Sequence, residues 1–149
     1  MKRLAIVLLG LGISSCATLK LAPLDEYNGD WIGTQRATQK GACTTDSGSL
    51  NVRYKLSFSQ NGDFTGALYS STGDLLPNNV FVGTVSPDGS IRMEHQTSAT
   101  CDYVKEKVVS TGTGKLVQTP SGPVLTLTVQ ENICSNCKFL VERTLRPAK

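Results

Sequence analysis

The chain has 149 residues, with 15 lysines and arginines against 12 aspartates and glutamates, and five cysteines. The basic residues form no cluster, which argues against nucleic acid as a partner, and the length allows one domain with a hydrophobic core but not two. Thr, Ser, Gly and Val are frequent and long helical patterns are few. The composition therefore favours strands and turns.

The start of the chain has the order of an export signal. Met1-Lys2-Arg3 is basic, residues 4–12 are apolar, and Ile13-Ser14-Ser15 precede Cys16. This order is typical of a secretory signal, and the apolar run is too short to cross a bilayer. The last three residues and the cysteine resemble the lipobox of bacterial lipoproteins, which implies that Cys16 is lipidated and becomes the first mature residue. The alternative is an ordinary secretory signal with a cysteine near the cleavage site.

The mature chain would hold 134 of the 149 residues, with 13 basic and 12 acidic side chains. In lipoproteins, an Asp after the lipidated cysteine tends to retain the protein at the inner membrane. Ala17 follows Cys16 here, which by resemblance implies the cell outer membrane, with the protein facing the periplasm. Residues 16–28 include Pro23 and have no sustained periodicity, so we predict a tether there and a β-barrel domain over residues 29–147.

Alternating apolar and polar residues predict eight strands. The clearest alternation runs from Leu50 to Phe58, where every second residue is apolar, as in a strand with one buried face. Turn residues at 61–63, 87–90 and 119–122 separate strands, and Gly112 and Gly114 suggest a bend or bulge in the sixth strand. The predicted strands cover residues 27–37, 50–59, 64–68, 79–86, 91–96, a stretch within 103–118, 125–129 and 138–146.

These strands and their short connections predict an all-β fold, an up-and-down antiparallel eight-stranded β-barrel. The alternative is a β-sandwich of the same strands. Gly29-Asp30-Trp31, at the start of the first strand, is similar to the Gly-x-Trp motif that opens lipocalin barrels. In the last strand Arg143 shares its parity with Val141 and Leu145, which places it on the core face.

The lipocalin resemblance implies a structural pair, in which Arg143 lies over Trp31 and closes one end of the barrel. The alternative is that Trp31 is only a core anchor and Arg143 points to solvent. The chain is shorter than most lipocalins and has no match to their aspartate-bearing turn. The resemblance is therefore to a lipocalin-like or calycin-like barrel, and small barrel lipoproteins that inhibit proteases or lysozyme are similar at this level.

Four cysteines remain after Cys16, and an even set in an exported chain is typical of disulfides. The strand order places Cys43, Cys101, Cys134 and Cys137 at one end of the barrel. We favour a pairing of Cys43 with Cys134 or Cys137, and of Cys101 with the other. The main alternative joins Cys134 to Cys137 and Cys43 to Cys101. The Cys-x-x-Cys spacing also fits a redox pair or half of a zinc site, but no helix follows it and the exported compartment opposes reduced cysteines.

His95 is the single histidine, and its parity places it inside the barrel near the cysteine-bearing end. It is predicted either to contact a ligand in the barrel mouth or to be a hydrogen-bonded residue at the edge of the core. No carboxylate or nucleophile has a spacing that pairs with it, so a hydrolytic triad has no support. We expect no catalytic residues, no metal and no cofactor.

The predicted function is that of a non-enzymatic cell-envelope lipoprotein whose barrel binds an apolar or amphipathic small molecule. The alternative is a protein-interaction lipoprotein, such as an inhibitor of a protease or lysozyme, acting through disulfide-clipped loops. A purely structural role is a third reading. The expected partners are the membrane, through the N-terminal lipid anchor, and a small molecule or an envelope protein. Because the tether enters the first strand, its end of the barrel should face the membrane.

Overall fold

Eight antiparallel strands close into one barrel in chain order, with β8 returning to β1. The computed structural model describes residues 20–41, 47–101, 104–133 and 137–149, with residues 40, 41, 101 and 104 described as backbone only. The up-and-down barrel predicted from the alternation is confirmed, and the sandwich is wrong. The strands are β1 (Gly29–Gly41), β2 (Gly48–Phe58), β3 (Asp63–Tyr69), β4 (Leu75–Val85), β5 (Ser90–Cys101), β6 (Val104–Thr119), β7 (Gly122–Ile133) and β8 (Cys137–Pro147).

The lower half of the barrel holds the main hydrophobic core. We call lower the end at which β1 begins, and upper the end at which it finishes. Inward residues of every strand meet in this core because successive side chains alternate across a sheet. The largest fully buried members are Trp31, Tyr54, Leu56, Phe64, Phe81, Ile91, Leu116, Leu125, Leu127 and Leu145.

The described part of the predicted tether packs over the lower end. A short 3₁₀ helix, Leu24–Tyr27, precedes β1, and the ring of Tyr27 is buried in the main core beside Phe58. The Tyr27 hydroxyl accepts a hydrogen bond from the backbone N–H of Ala22 at 2.8 Å. Residues 20–28 therefore pack against the lower end of the barrel, and the first strand begins at Gly29.

The two glycines of β6 do not mark a bulge. β5 and β6 pair without a register shift from Ser90↔Lys115 to Cys101↔Val104. A Cβ atom on Gly114 would lie 2.3 Å from the carbonyl oxygen of Thr126, so glycine permits the close approach of β7. The register shift found in the barrel is between β3 and β4, between Ala67 and Tyr69.

The upper half of the barrel is divided, although the lower half is continuous. The ladder between β6 and β7 stops at Gly112↔Val129, whereas β5–β6 and β7–β8 remain paired to their upper ends. The β2–β3 ladder stops at Tyr54↔Leu68, and the β4–β5 ladder stops at Val80↔Gln96. Over the described residues, the upper wall therefore consists of a four-stranded sheet, β7-β8-β1-β2, and two separate hairpins.

Candidate functional site

A layer of polar side chains crosses the interior directly above the main core. Each member is inward-facing and comes from a different strand: His95 from β5, Ser110 from β6, Glu131 from β7 and Arg143 from β8. His95 and Arg143 are only 1% and 3% exposed. Buried polar groups cost free energy unless they are hydrogen-bonded, so their partners decide what this layer can do.

Arg143 is held on one side of its guanidinium. Its Nε donates to Gln35 Oε1 at 2.7 Å and to Tyr54 Oη at 3.0 Å, and its Nη2 lies 3.5 Å from Glu131 Oε1. The guanidinium carbon lies 5.0 Å from the centroid of the Phe81 ring, within the range of a cation–π contact. The remaining nitrogen, Nη1, is buried and has no hydrogen-bond partner among the described residues.

His95 links Glu131 to the opposite wall. Its Nδ1 lies 2.6 Å from Glu131 Oε1, but neither atom has a partner with hydrogen-bond alignment, so this contact is a close polar approach. Its Nε2 lies 2.8 Å from Asn79 Oδ1 on β4. The imidazole therefore spans from β4 to β7 across the barrel.

Glu131 is the acidic member of the layer. Burial alone would raise the pKa of its carboxyl group, but His95 and then Arg143 outweigh burial and hold this pKa below its ordinary value. Glu131 is therefore ionised at neutral pH and offsets the formal charge of Arg143. Burial raises the pKa of Tyr54, so its hydroxyl stays protonated beside the guanidinium.

An apolar surface lies above the polar layer, separate from the main core. Cys137, Phe139 and Val141 of β8 are buried there, and Ala37 and Ile133 pack against them. We call these five residues the upper apolar cluster. In the same sheet, Leu50 of β2 points inward but is 53% exposed, as expected for a side chain at an open mouth.

A cavity of about 1140 Å³ lies beside the polar layer, and none of the five residues of the upper apolar cluster is in its lining. Its inward-facing lining includes Leu50, Val52, Leu68, Asn79, His95, Thr97, Glu131 and Arg143. This volume also includes a groove on the outer face of β1, β2 and β8, which is lined by Ile32, Arg53 and Arg146. Since the sheet separates the two spaces, the interior space is smaller than the full figure. Ser110 does not line the cavity, although its hydroxyl is also unpartnered within the described structure.

The sequence prediction that His95 lies inside the barrel is confirmed, but the predicted contact between Trp31 and Arg143 is wrong. In the ladder between β1 and β8, Trp31 is opposite Pro147, whereas Arg143 is opposite Gln35. Four residues along a strand separate two positions by about 13 Å, so the side chains lie in different layers. Trp31 is instead a buried core residue that donates from Nε1 to the carbonyl oxygen of Tyr27 at 2.9 Å.

The cysteine predictions are tested only in part. Cys137 is disulfide-bonded, whereas Cys16, Cys43, Cys134 and the side chain of Cys101 lie outside the description. The pairing therefore stays a prediction. β5 and β8 do place Cys101 and Cys137 at the upper end, as the strand order predicts.

Sequence reasoning missed Glu131 as a member of the site, because the predicted seventh strand ended at residue 129. The signal was present, since residue 131 continues the inward parity of Leu125, Leu127 and Val129.

In the described ranges, no group of three or more His, Cys, Asp or Glu side chains is arranged to hold a metal ion. Nor does any helix there have the length and apolar character to cross a membrane. No protein-family model, curated protein or solved structure matches the chain.

Proposed function

We propose that this protein is a non-enzymatic cell-envelope lipoprotein that binds an amphipathic small molecule in the upper half of its barrel. The observation that carries the proposal is the order of surfaces inside the barrel. A buried polar layer with an unpartnered donor, Arg143 Nη1, lies between a filled lower core and the upper apolar cluster. A ligand with one polar end and one apolar end matches this order.

The energetics favour an amphipathic ligand over a purely apolar one. Burial of a methylene contributes about 0.8 kcal/mol, so a tail with about eight buried methylenes gives roughly 6 kcal/mol. A micromolar dissociation constant needs about 8 kcal/mol, and ordering of the ligand adds to this requirement. Contacts at the polar layer would supply the difference.

The lipid anchor belongs to the same proposal. We infer that Cys16 carries the lipid and that the protein is held at the outer membrane. Residues 20–28 pack at the lower end, so an anchor attached at Cys16 would bring that end toward the lipid. The upper opening would then point away from the membrane. Metabolic labelling with a radioactive fatty acid should label the wild-type chain and a Ser15→Ala variant equally, and should not label a Cys16→Ser variant.

A binding titration tests the ligand proposal directly. We would use the mature chain with Cys16→Ser and the neutral fluorescent probe N-phenyl-1-naphthylamine. Ala37→Trp adds an indole beside Val141 in the upper apolar cluster and should weaken binding about ten-fold. Thr34→Trp places the same ring on the outer face of β1 and should have no effect. Equal affinities for the two variants would refute an interior site.

A second candidate is a protein-interaction lipoprotein. It is favoured by the connections that follow β1, β3, β5 and β7, all of which leave the barrel at the upper end, and by the disulfide at Cys137. Such loops would act on a partner such as a protease or lysozyme. Native purification separates the candidates, because the first would recover a small molecule and the second a protein.

A further inference from the structure

The polar layer contains one cationic side chain, Arg143, whose hydrogen-bond donors are not all paired. The guanidinium of Arg143 has five N–H donors and no acceptor. Its Nε is occupied by Gln35 and Tyr54, and its Nη2 faces Glu131. Nη1 has no partner among the described residues, although Arg143 is almost fully buried, and Arg143 lines the cavity. A buried N–H donor without a partner is unfavourable and favours a ligand that accepts hydrogen bonds.

We propose that the polar end of the ligand is an anionic head group, a carboxylate or a phosphate monoester, that accepts hydrogen bonds from Arg143 Nη1. This inference rests on the proposed ligand-binding function and specifies its chemistry. A guanidinium binds such oxyanions through planar, charge-assisted hydrogen bonds. A cationic head group would instead meet Arg143 as a like charge.

The unpartnered oxygen of Glu131 does not reverse this preference. Glu131 Oε1 is an acceptor, but it lies between His95 Nδ1 and Arg143 Nη2, so two nitrogen groups already face it. Its negative charge lies on the Nη2 side of the guanidinium, away from the position that Nη1 leaves open. Repulsion from Glu131 would reduce the gain from an added anion, so we expect a moderate preference of about ten-fold rather than a larger one.

The tail would then lie along the upper apolar cluster. Phe139 and Val141 are on β8, the strand that carries Arg143, and share its inward parity. They stand toward the upper end relative to Arg143, so a tail that rises from the guanidinium meets them first. Leu50 of β2 and Leu68 of β3 line the cavity that also contacts Arg143, and they offer the tail further apolar surface. A single-chain amphiphile would then bind with its head group at Arg143 and its tail toward the mouth.

A matched ligand series tests the inference. Calorimetric titrations of the mature Cys16→Ser chain at pH 7.5 would compare dodecanoate, dodecyl phosphate, dodecanol and dodecylamine, each below its aggregation concentration. Both anions should bind about ten-fold more tightly than the alcohol, and the amine should bind most weakly. If the alcohol or the amine binds as tightly as the two anions, the proposal of an anionic head group is refuted. Binding of none of the four would overturn the proposed function as well.

Three variants locate the anion. Arg143→Lys keeps the charge but loses the planar donor geometry, so it should lower the affinity for the two anions more than the affinity for dodecanol and reduce the preference for anions. If that variant does not fold, the double variant Arg143→Met/Glu131→Gln removes both charges and gives the same test. Arg146→Met is the control for the outer groove, because Arg146 lines that groove from the same strand. A preference that survives without Arg143, or that disappears in Arg146→Met, would refute the interior site.

Discussion

Replacement of Arg143 tests whether the polar layer is a coupled unit. The Arg143→Met variant removes the cation that faces Glu131 Oε1 at 3.5 Å and the donor to Gln35 and Tyr54. Glu131, with a side chain only 10% exposed, would retain a buried charge without its guanidinium partner. Removal of one member of a buried ion pair costs about 3–5 kcal/mol, so we expect the free energy of unfolding to fall by about this amount.

The double variant Arg143→Met/Glu131→Gln should recover a large part of the loss. It leaves no buried carboxylate, so we expect a total cost of about 1–2 kcal/mol from the remaining unpaired polar groups. The double variant should thus be about 2 kcal/mol more stable than Arg143→Met, and the Glu131→Gln single variant completes the double-mutant cycle that gives the interaction energy. Such a difference would show that the cost lies in the unpaired charge rather than in lost packing.

Urea unfolding at pH 7 provides the measurement, followed by the fluorescence of Trp31, the single tryptophan, with disulfides intact. Arg146→Met is the control, since it makes the same substitution at an exposed position of β8 and should change stability by less than about 0.5 kcal/mol. A loss below about 1 kcal/mol for Arg143→Met would refute the coupling. So would a double variant as unstable as the single one.

Three further predictions concern the barrel itself. Gly114→Ala should cost about 2 kcal/mol or more in urea unfolding, because its new Cβ would overlap the carbonyl oxygen of Thr126, whereas Gly48→Ala meets no atom within 4 Å and should be nearly neutral. Because the folded pKa of Glu131 is lowered, its contribution to stability is present above its unfolded pKa of about 4.3 and is lost as the pH falls. Glu131→Gln should therefore have a flatter acid limb in stability–pH curves, and an identical limb would contradict the ionised assignment. Tyr27→Phe should lower stability by about 1 kcal/mol through the lost hydroxyl contact, and no change would mean that this contact adds nothing at the lower end.

The strands were predictable wherever one face is apolar and the other polar. β2 illustrates this, because the alternation from Val52 to Phe58 in the sequence is also its burial pattern. The upper end of β5 was missed because residues 97–100 are small or hydroxyl-bearing on both faces. These residues are in the sheet because their backbones pair with residues 105–108 of β6. Side-chain periodicity cannot report a strand that is held by its backbone alone.

Which residues meet in the site was harder to predict than which face of its strand each residue lies on. Parity is a local property, and it correctly placed Arg143 and His95 inside the barrel. The height of a residue depends on the register between strands distant in sequence, and β8 is shifted so that its last residue, Pro147, lies opposite Trp31. That register places Arg143 about 13 Å along the strand direction from Trp31. There it meets Glu131 instead of the tryptophan.

The division of the upper wall explains how a buried polar layer could remain accessible. Glu131 is the first inward residue of β7 above the last pair that β7 forms with β6, Gly112↔Val129. The site therefore begins at the level where the wall ceases to be continuous. A barrel built for stability alone would gain by replacing a buried ion pair with apolar side chains or by satisfying every polar atom. This barrel keeps its main apolar core below that level, and above it no described residue pairs with Arg143 Nη1, an arrangement that the proposed ligand would complete.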